Sequence, residues 1–325
     1  MFKNRKWVKF AIAFLAAALL LSFAACEMTK TPEKTTAEKL AEAKNALAVT
    51  GANAVTASVT LPATGLHGST VTWASSNTNV LGNNGAVVFR PILGDAAVKL
   101  TATIKIGGET ATKDFNATVK ERAVIWKANM TDGVVGVYGD NDNVFTSGTL
   151  EDGKLTLKTT GHTRFGGYGT EWNGGFTIGT EIYLDPADFE LDEYAIMSHG
   201  LNGKTNSSLA ESHVVYYKNA EGLKAGAALE AAYSGTDLTN SVLIPEAGWY
   251  IVAVTYYADD GVVSAKTDIY KSGYASIFSF SHKPKSAASG YTDPVDVGDA
   301  GGNRAGWFVE NNVAKGLQIK NLFKY

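Results

Sequence analysis

The chain has 325 residues, a formal net charge of −3 and a single cysteine. That length admits two domains, and one cysteine excludes an internal disulfide. Setting aside residues 1–25, which carry four positive charges and no negative ones, leaves −7; a mildly acidic chain without basic blocks is excluded as a nucleic-acid binder, which needs a basic patch.

Lys3, Arg5, Lys6 and Lys9 precede an uncharged run from Phe10 to Ala25. The run has the length of a signal-peptide apolar region and is slightly short for a membrane-spanning helix. It ends in Ser22-Phe23-Ala24-Ala25-Cys26. Small residues directly before a cysteine resemble the bacterial lipoprotein lipobox, although Phe23 stands where leucine is usual. The resemblance implies cleavage before Cys26 and lipidation of its thiol. Several acyl chains on one residue anchor stably, so the expected location is the bacterial cell envelope or surface, with the membrane as a partner through the lipid.

Residues 26–36 are polar and contain a proline, as a tether does. Thr35 and Glu38 have capping-box spacing, and the Ala-, Leu-, Glu- and Lys-rich run Ala37–Ala48 predicts a helix. From Val55 the apolar period becomes two. Strands are predicted over Val55–Leu61, Thr70–Ser75 and Ala86–Arg90. A hairpin about Gly107-Gly108 joins Val98–Ile106 to a strand through Phe115, Ala117 and Val119. Short strands with frequent turns predict a small β-sandwich.

Leu61-Pro62, "TVTWASSN" at 70–77, Gly85-Ala86-Val87 running into Arg90-Pro91, and "LTAT" at 100–103 together resemble the atypical bacterial immunoglobulin-like domain. The resemblance covers roughly residues 38–120, with domain bounds of 37–121. It implies a spacer in an exported protein, with Trp73 supplying buried area to the core.

Residues 122–325 are again rich in alternating runs: Lys154–Thr159, Gly175–Leu184, His213–Lys218, Trp249–Tyr257, Val262–Tyr270 and Leu317–Lys324, with Ala225–Tyr233 ambiguous. Many strands in 200 residues predict one large sandwich. The phrases "GHTRFGGY", "GGFTIGTEIYLDP", "AGWYIVAVTYY", "GGNRAGWFV" and "GLQIKNLFKY" resemble the concanavalin/laminin-G-like jelly roll. The expected fold class is therefore all-β: a small Ig-like sandwich followed by a larger concanavalin-like jelly roll.

Catalytic patterns are sparse. A retaining glycosidase needs two carboxylates about 5 Å apart, and the nearest string, Glu190-Leu191-Asp192-Glu193, reads as a solvated loop. No Gly-x-Ser-x-Gly elbow occurs, and the five histidines lack metal-ligand spacing. No enzymatic activity is expected. Asp140-Asn141-Asp142-Asn143 gathers oxygen side chains, so Asp140 and Asp142 are candidate ligands of a structural calcium, against the plainer reading of an Asx-rich turn.

Aromatic residues suggest carbohydrate, whose apolar faces pack on flat rings. Trp172 lies in a glycine-flanked loop, with His162 and Arg164 nearby in sequence. In each of the pairs Tyr216-Tyr217 and Tyr256-Tyr257 one ring faces the core and the other faces outward; Tyr217 and Tyr257 are the candidates. Trp249, in "GWYIVAVTY", reads as a core-strand residue. In "GGNRAGWF" the glycines allow close approach, a strand starts at Trp307, and Asn303 and Arg304 are candidate ligand contacts. The expectation is a non-catalytic surface lipoprotein whose C-terminal domain binds polysaccharide or glycan. The alternatives are a structural or adhesive protein with protein partners and a divergent polysaccharide-cleaving enzyme.

Overall fold

A computed structural model of the chain describes residues 32–123, 126–127, 148–157, 163–165, 172–204, 210–228, 240–286, 289 and 292–325. It forms two compact units. One comprises the described residues up to Leu47 together with Ala63–Thr72 and Thr103–Lys113. The other comprises Ala48–Pro62, Trp73–Ala102 and Asp114–Tyr325.

The predicted helix forms as α1 (Thr36–Ala46), two residues short of its expected end. Its capping box is complete: Thr35 Oγ1 accepts from the Glu38 amide, and the Glu38 carboxylate accepts from the Thr35 amide at 2.8 Å. Leu40 and Ala43 supply the buried side. Lys113 Nζ donates to the carbonyls of Asn45 and Leu47 just past the last turn, where the helix dipole favours a cation.

Strands β1 (Thr70–Ser75), β2 (Ala96–Ile106) and β3 (Glu109–Val119) form a three-stranded sheet in that order. The hairpin turns at Gly107, whose φ of 58° suits glycine. The predicted strands at Val55–Leu61 and Ala86–Arg90 do not form ladders. They are reduced to isolated bridges, Val55 with Val119, Ser58 with Ala86 and Leu81 with Val87. Gly85 shows why: its φ is +80°, and a Cβ there would stand 2.1 Å from the Val59 carbonyl oxygen. The chain turns through that close approach instead of running straight. The alternation still selects the core, since Val55, Val59, Val98, Leu100, Ala117 and Val119 are all buried together. Trp73 packs against this core, its Nε1 donating to the Pro62 carbonyl at 2.8 Å.

The remaining strands are β4 (Trp126–Lys127), β5 (Thr149–Glu151), β6 (Lys154–Leu157), β7 (Thr163–Phe165), β8 (Gly175–Leu184), β9 (Tyr194–Gly203), β10 (Ala210–Asn219), β11 (Gly222–Ala228), β12 (Ser241–Leu243), β13 (Gly248–Asp259), β14 (Val262–Lys271), β15 (Ala275–His282), β16 (Ala300–Asn311) and β17 (Leu317–Lys324). They build a six-stranded sheet, β12-β11-β10-β9-β16-β7, and an eight-stranded sheet, β15-β14-β13-β8-β17-β6-β5 with β4 beside β17. The fold is all-β, with its sheets in sandwiches and the Ig-like domain first; the large sandwich is compatible with a jelly roll. Strands β9 and β15, and the short strands β5, β7 and β12, were not anticipated. Strand β16 begins at Ala300, not at Trp307, and absorbs its glycines in two register shifts against β9. At Gly301 a Cβ would meet the Gly203 carbonyl carbon and oxygen at 2.6 Å, so the close approach expected of these glycines is real.

Alternate residues of the two sheets meet in one core, including Phe176, Ile178, Ile182 and Leu184 of β8, Tyr250, Val252, Val254 and Tyr256 of β13, and Ala195, Met197, Val214 and Tyr216 of β9 and β10. Two of these buried tyrosines, Tyr256 and Tyr216, differ in one respect. Tyr256 donates its hydroxyl to the His199 carbonyl at 2.8 Å, whereas the Tyr216 hydroxyl is buried with no partner among the described residues. An unpaired buried hydroxyl costs free energy, and a paired one leaves its acceptor orphaned when deleted. Tyr256→Phe is therefore expected to lower stability by about 1 kcal/mol or more, and Tyr216→Phe to leave it unchanged or raise it by about 1 kcal/mol. Urea denaturation of the two variants gives the comparison; equal losses would remove the distinction.

Candidate functional site

The outward face of the eight-stranded sheet carries the residues that alternate with its core positions. Register sets them in a row. Trp249 of β13 pairs with Tyr183 of β8, Tyr183 with Gln318 of β17, Gln318 with Thr156 of β6, and Thr156 with Thr149 of β5. Their sequence neighbours Tyr250, Ile182, Leu184, Leu317, Ile319, Leu155 and Leu157 are buried in the sandwich core. None of the five row residues is fully buried.

The aromatic end of the row is ordered by its neighbours. The Tyr183 and Trp249 rings meet edge to face with centroids 5.5 Å apart and an interplanar angle of 61°. Lys320 Nζ lies 4.1 Å from the Trp249 centroid, a cation–π arrangement. Its other neighbour is the Glu181 carboxylate at 3.5 Å, which also accepts from Asn321 Nδ2. Asn321 stands at φ 50° within the register shift between Lys320 and Phe323, so an irregularity of β17 places the amide over its neighbour strand.

Beside Tyr183 and Gln318, where β8 ends and β17 begins, opens a cleft of about 410 Å³. Asp185, Asp188, Phe189, Ala314, Lys315 and Gly316 complete its lining. Lys315 Nζ donates to Asp188 Oδ1 at 2.7 Å. That hydrogen bond and the charge of Asp188, with those of Asp185 and Glu190 behind them, raise the Lys315 pKa above its ordinary value. The surroundings of the cleft are acidic. Its rim is firm: Asp185 Oδ1 accepts from the Ala187 amide, and Glu193 accepts from the amides of Glu190 and Ala314. The string Glu190–Glu193 thus orders a loop through its carboxylate.

The residues expected from sequence do not converge on this site. Trp172 is half-buried, packs against the sandwich core and meets Phe176 edge-on with centroids 6.3 Å apart. Tyr217 lies on the outward face of the six-stranded sheet, within a small cluster with Ile196, Val215 and Tyr194, and donates its hydroxyl to Asp192 at 2.6 Å. Tyr257 is half-buried on the outward side of β13, on the other sheet. The opposed faces of each tyrosine pair are as alternation demands, but the outward rings stand on different sheets. Arg164 belongs to β7, and Asn303 and Arg304 to β16. The side chains of these three residues lie outside what the structure describes. Cys26, Asp140, Asp142 and His162 also lie outside the described residues.

Tyr183, Gln318 and Lys320 were not among the sequence candidates, and the reading of Trp249 as a core-strand residue is corrected: it stands on the outward face, while its neighbour Tyr250 is the one buried in the core. A usable signal existed for two of these four. Trp249 is out of phase with Tyr250, Val252 and Val254, and Tyr183 is out of phase with Ile182 and Leu184. Period-two alternation therefore puts both outside the core.

Among the described residues no group of three or more His, Cys, Asp or Glu side chains could hold a metal ion, and no helix is long and apolar enough to cross a membrane. Residues 40–122 match the family model described as the atrophied bacterial Ig domain. The N-terminal module is Ig-like, as its Leu-Pro, Trp73 and hairpin phrases imply. No curated protein matches the chain.

Proposed function

We propose that this chain is a non-catalytic surface lipoprotein in which the Ig-like domain serves as spacer and the large sandwich binds carbohydrate. Ig-like domains of this bacterial type are typically extracellular or at the cell surface, which supports an exported location. The observation that carries the binding reading is the Trp249–Tyr183 pair on the outward sheet face, flanked by Gln318 and Lys320 and opening into the cleft. Flat rings offer apolar surface to a sugar face, while fixed amide and ammonium groups orient its hydroxyls. The lipid supplies the anchor through Cys26.

Affinity electrophoresis in gels containing polysaccharides tests this. Retention by at least one polysaccharide is expected, weakened about tenfold or more by Trp249→Ala or Tyr183→Ala, since deleting a central aromatic contact costs on the order of 1–2 kcal/mol. Trp172→Ala is expected to lower stability and leave retention in place, because that ring packs on the core. Absence of retention on any polysaccharide would sink the carbohydrate reading in favour of a structural or adhesive role. Incorporation of labelled fatty acid, lost in Cys26→Ser, tests the anchor.

A further inference from the structure

We infer that the site takes an uncharged polysaccharide whose backbone crosses the strands of the eight-stranded sheet and whose short side branch enters the cleft. This deepens the carbohydrate reading and rests on it. The row Trp249, Tyr183, Gln318, Thr156 and Thr149 runs perpendicular to the strands through five of them. Strands stand about 4.8 Å apart, so the row is roughly 19 Å long, close to four pyranose units at about 5 Å each. Its character changes along its length, from two rings to an amide to two hydroxyls. A chain lying along it stacks at one end and exchanges hydrogen bonds at the other.

The cleft does not extend the row; it opens sideways from the middle. Tyr183 and Gln318 belong to both. A unit seated over those two residues therefore has the cleft beside it, and an unbranched chain would leave that volume to water. At about 410 Å³ the cleft falls within the usual ~300–1,000 Å³ of small-ligand sites and has room for one or two sugar units.

Charge narrows the class. Asp185 and Asp188 face a single lysine in the cleft, and that lysine is already bonded to Asp188. Lys320, which flanks the row at Trp249, is already beside Glu181. A uronate, sulfate or phosphate entering here meets uncompensated carboxylate, a repulsion strengthened by the partly enclosed setting. Hydroxyls meet acceptors and donors ready for them.

The test is affinity electrophoresis of the full chain against matched neutral pairs: β-glucan with xyloglucan, mannan with galactomannan, and xylan with arabinoxylan. Polygalacturonate is the acidic probe. The branched member of at least one pair is expected to retain the protein about tenfold more strongly than its unbranched partner. Polygalacturonate is expected not to retain it. Ala314→Trp fills the cleft from an exposed position and is expected to abolish the branch preference while leaving retention by the unbranched member. Equal retention of branched and unbranched members, or a preference that survives Ala314→Trp, overturns the branch assignment and leaves the carbohydrate reading standing. Stronger retention by polygalacturonate overturns the charge assignment. No retention by any probe overturns both this inference and the reading beneath it.

Discussion

Lowering the pH from 7 to 5 is expected to shift the urea midpoint of the large sandwich steeply downward. Three histidines are responsible. His199 is fully buried, and burial, with the nearby charge of Lys324, lowers its pKa to about 3. Burial lowers His213 to about 4, with a further contribution from His282, and lowers His282 itself to about 4. In the unfolded chain each titrates near 6.5. Below that pH the unfolded state binds protons that the folded state refuses, so stability falls as pH drops from about 6.5 and levels only below the folded values of about 4 and about 3. Each group contributes at most about 1.4 kcal/mol per pH unit, so the three together remove up to about 4 kcal/mol per unit. Against a typical total of about 5–15 kcal/mol, that is a large share of the stability by pH 5. His282→Gln, at the half-buried edge of the sheet, should remove about a third of the slope. A midpoint that stays level between pH 7 and pH 5 would show that the three imidazoles are solvated. Asp95 acts in the same direction at lower pH: hydrogen bonds from the Lys120 side chain and the Glu121 amide lower its pKa, so its contribution is lost only as it protonates.

Gly179→Ala is expected to be among the most damaging single-methyl changes in the sandwich. Gly179 lies in the middle of β8, opposite Ala253 on one side and Phe323 on the other. A Cβ there would stand 2.2 Å and 2.6 Å from the Phe323 ring and 2.7 Å from the Val252 carbonyl oxygen. Neither neighbour can yield cheaply. Phe323 is fully buried between Ile251 and Ile92, and the carbonyl is part of the β13 ladder. Overpacking of this kind costs about 3 kcal/mol or more. At roughly 2–4 °C per kcal/mol, the melting temperature should fall by about 10 °C. Adding Phe323→Leu should recover part of the loss, because it clears the ring and leaves the carbonyl contact. A melting temperature within about 2 °C of the parent for Gly179→Ala alone would mean that the sheet shifts freely at this point.

The function proposed for this chain depends on a distinction that both predictions illustrate, between residues inside the sandwich and those on its outward face. Gly179 shares that face with Tyr183 and Glu181, yet its environment is set by Phe323. Farther along the same strands the face carries Trp249, Tyr183 and Gln318, and there it is open.

Local signals were read well where the physics is local. The capping box at Thr35 and Glu38, the Gly107 turn and the strands Thr70–Ser75, Gly175–Leu184 and Leu317–Lys324 depend on neighbours in the chain. The all-β class follows from period-two alternation. So does the division of Tyr216 from Tyr217 and of Tyr256 from Tyr257, since adjacent residues of a strand face opposite ways. Alternation says which residues share a face; it does not say which strands lie side by side. The row from Trp249 to Thr149 is assembled from residues as far apart as 149 and 318, and only the order β13-β8-β17-β6-β5 makes it a row. For the same reason Tyr217 and Tyr257, equivalent in sequence, stand on different sheets, and strand β9, with His199 and Gly200 interrupting its apolar run, became visible only through its partners β10 and β16. The sequence by itself determined the elements and their buried sides, because those obey short-range periodicity. Long-range strand pairing decided which side chains meet, and with it the place where a ligand could bind.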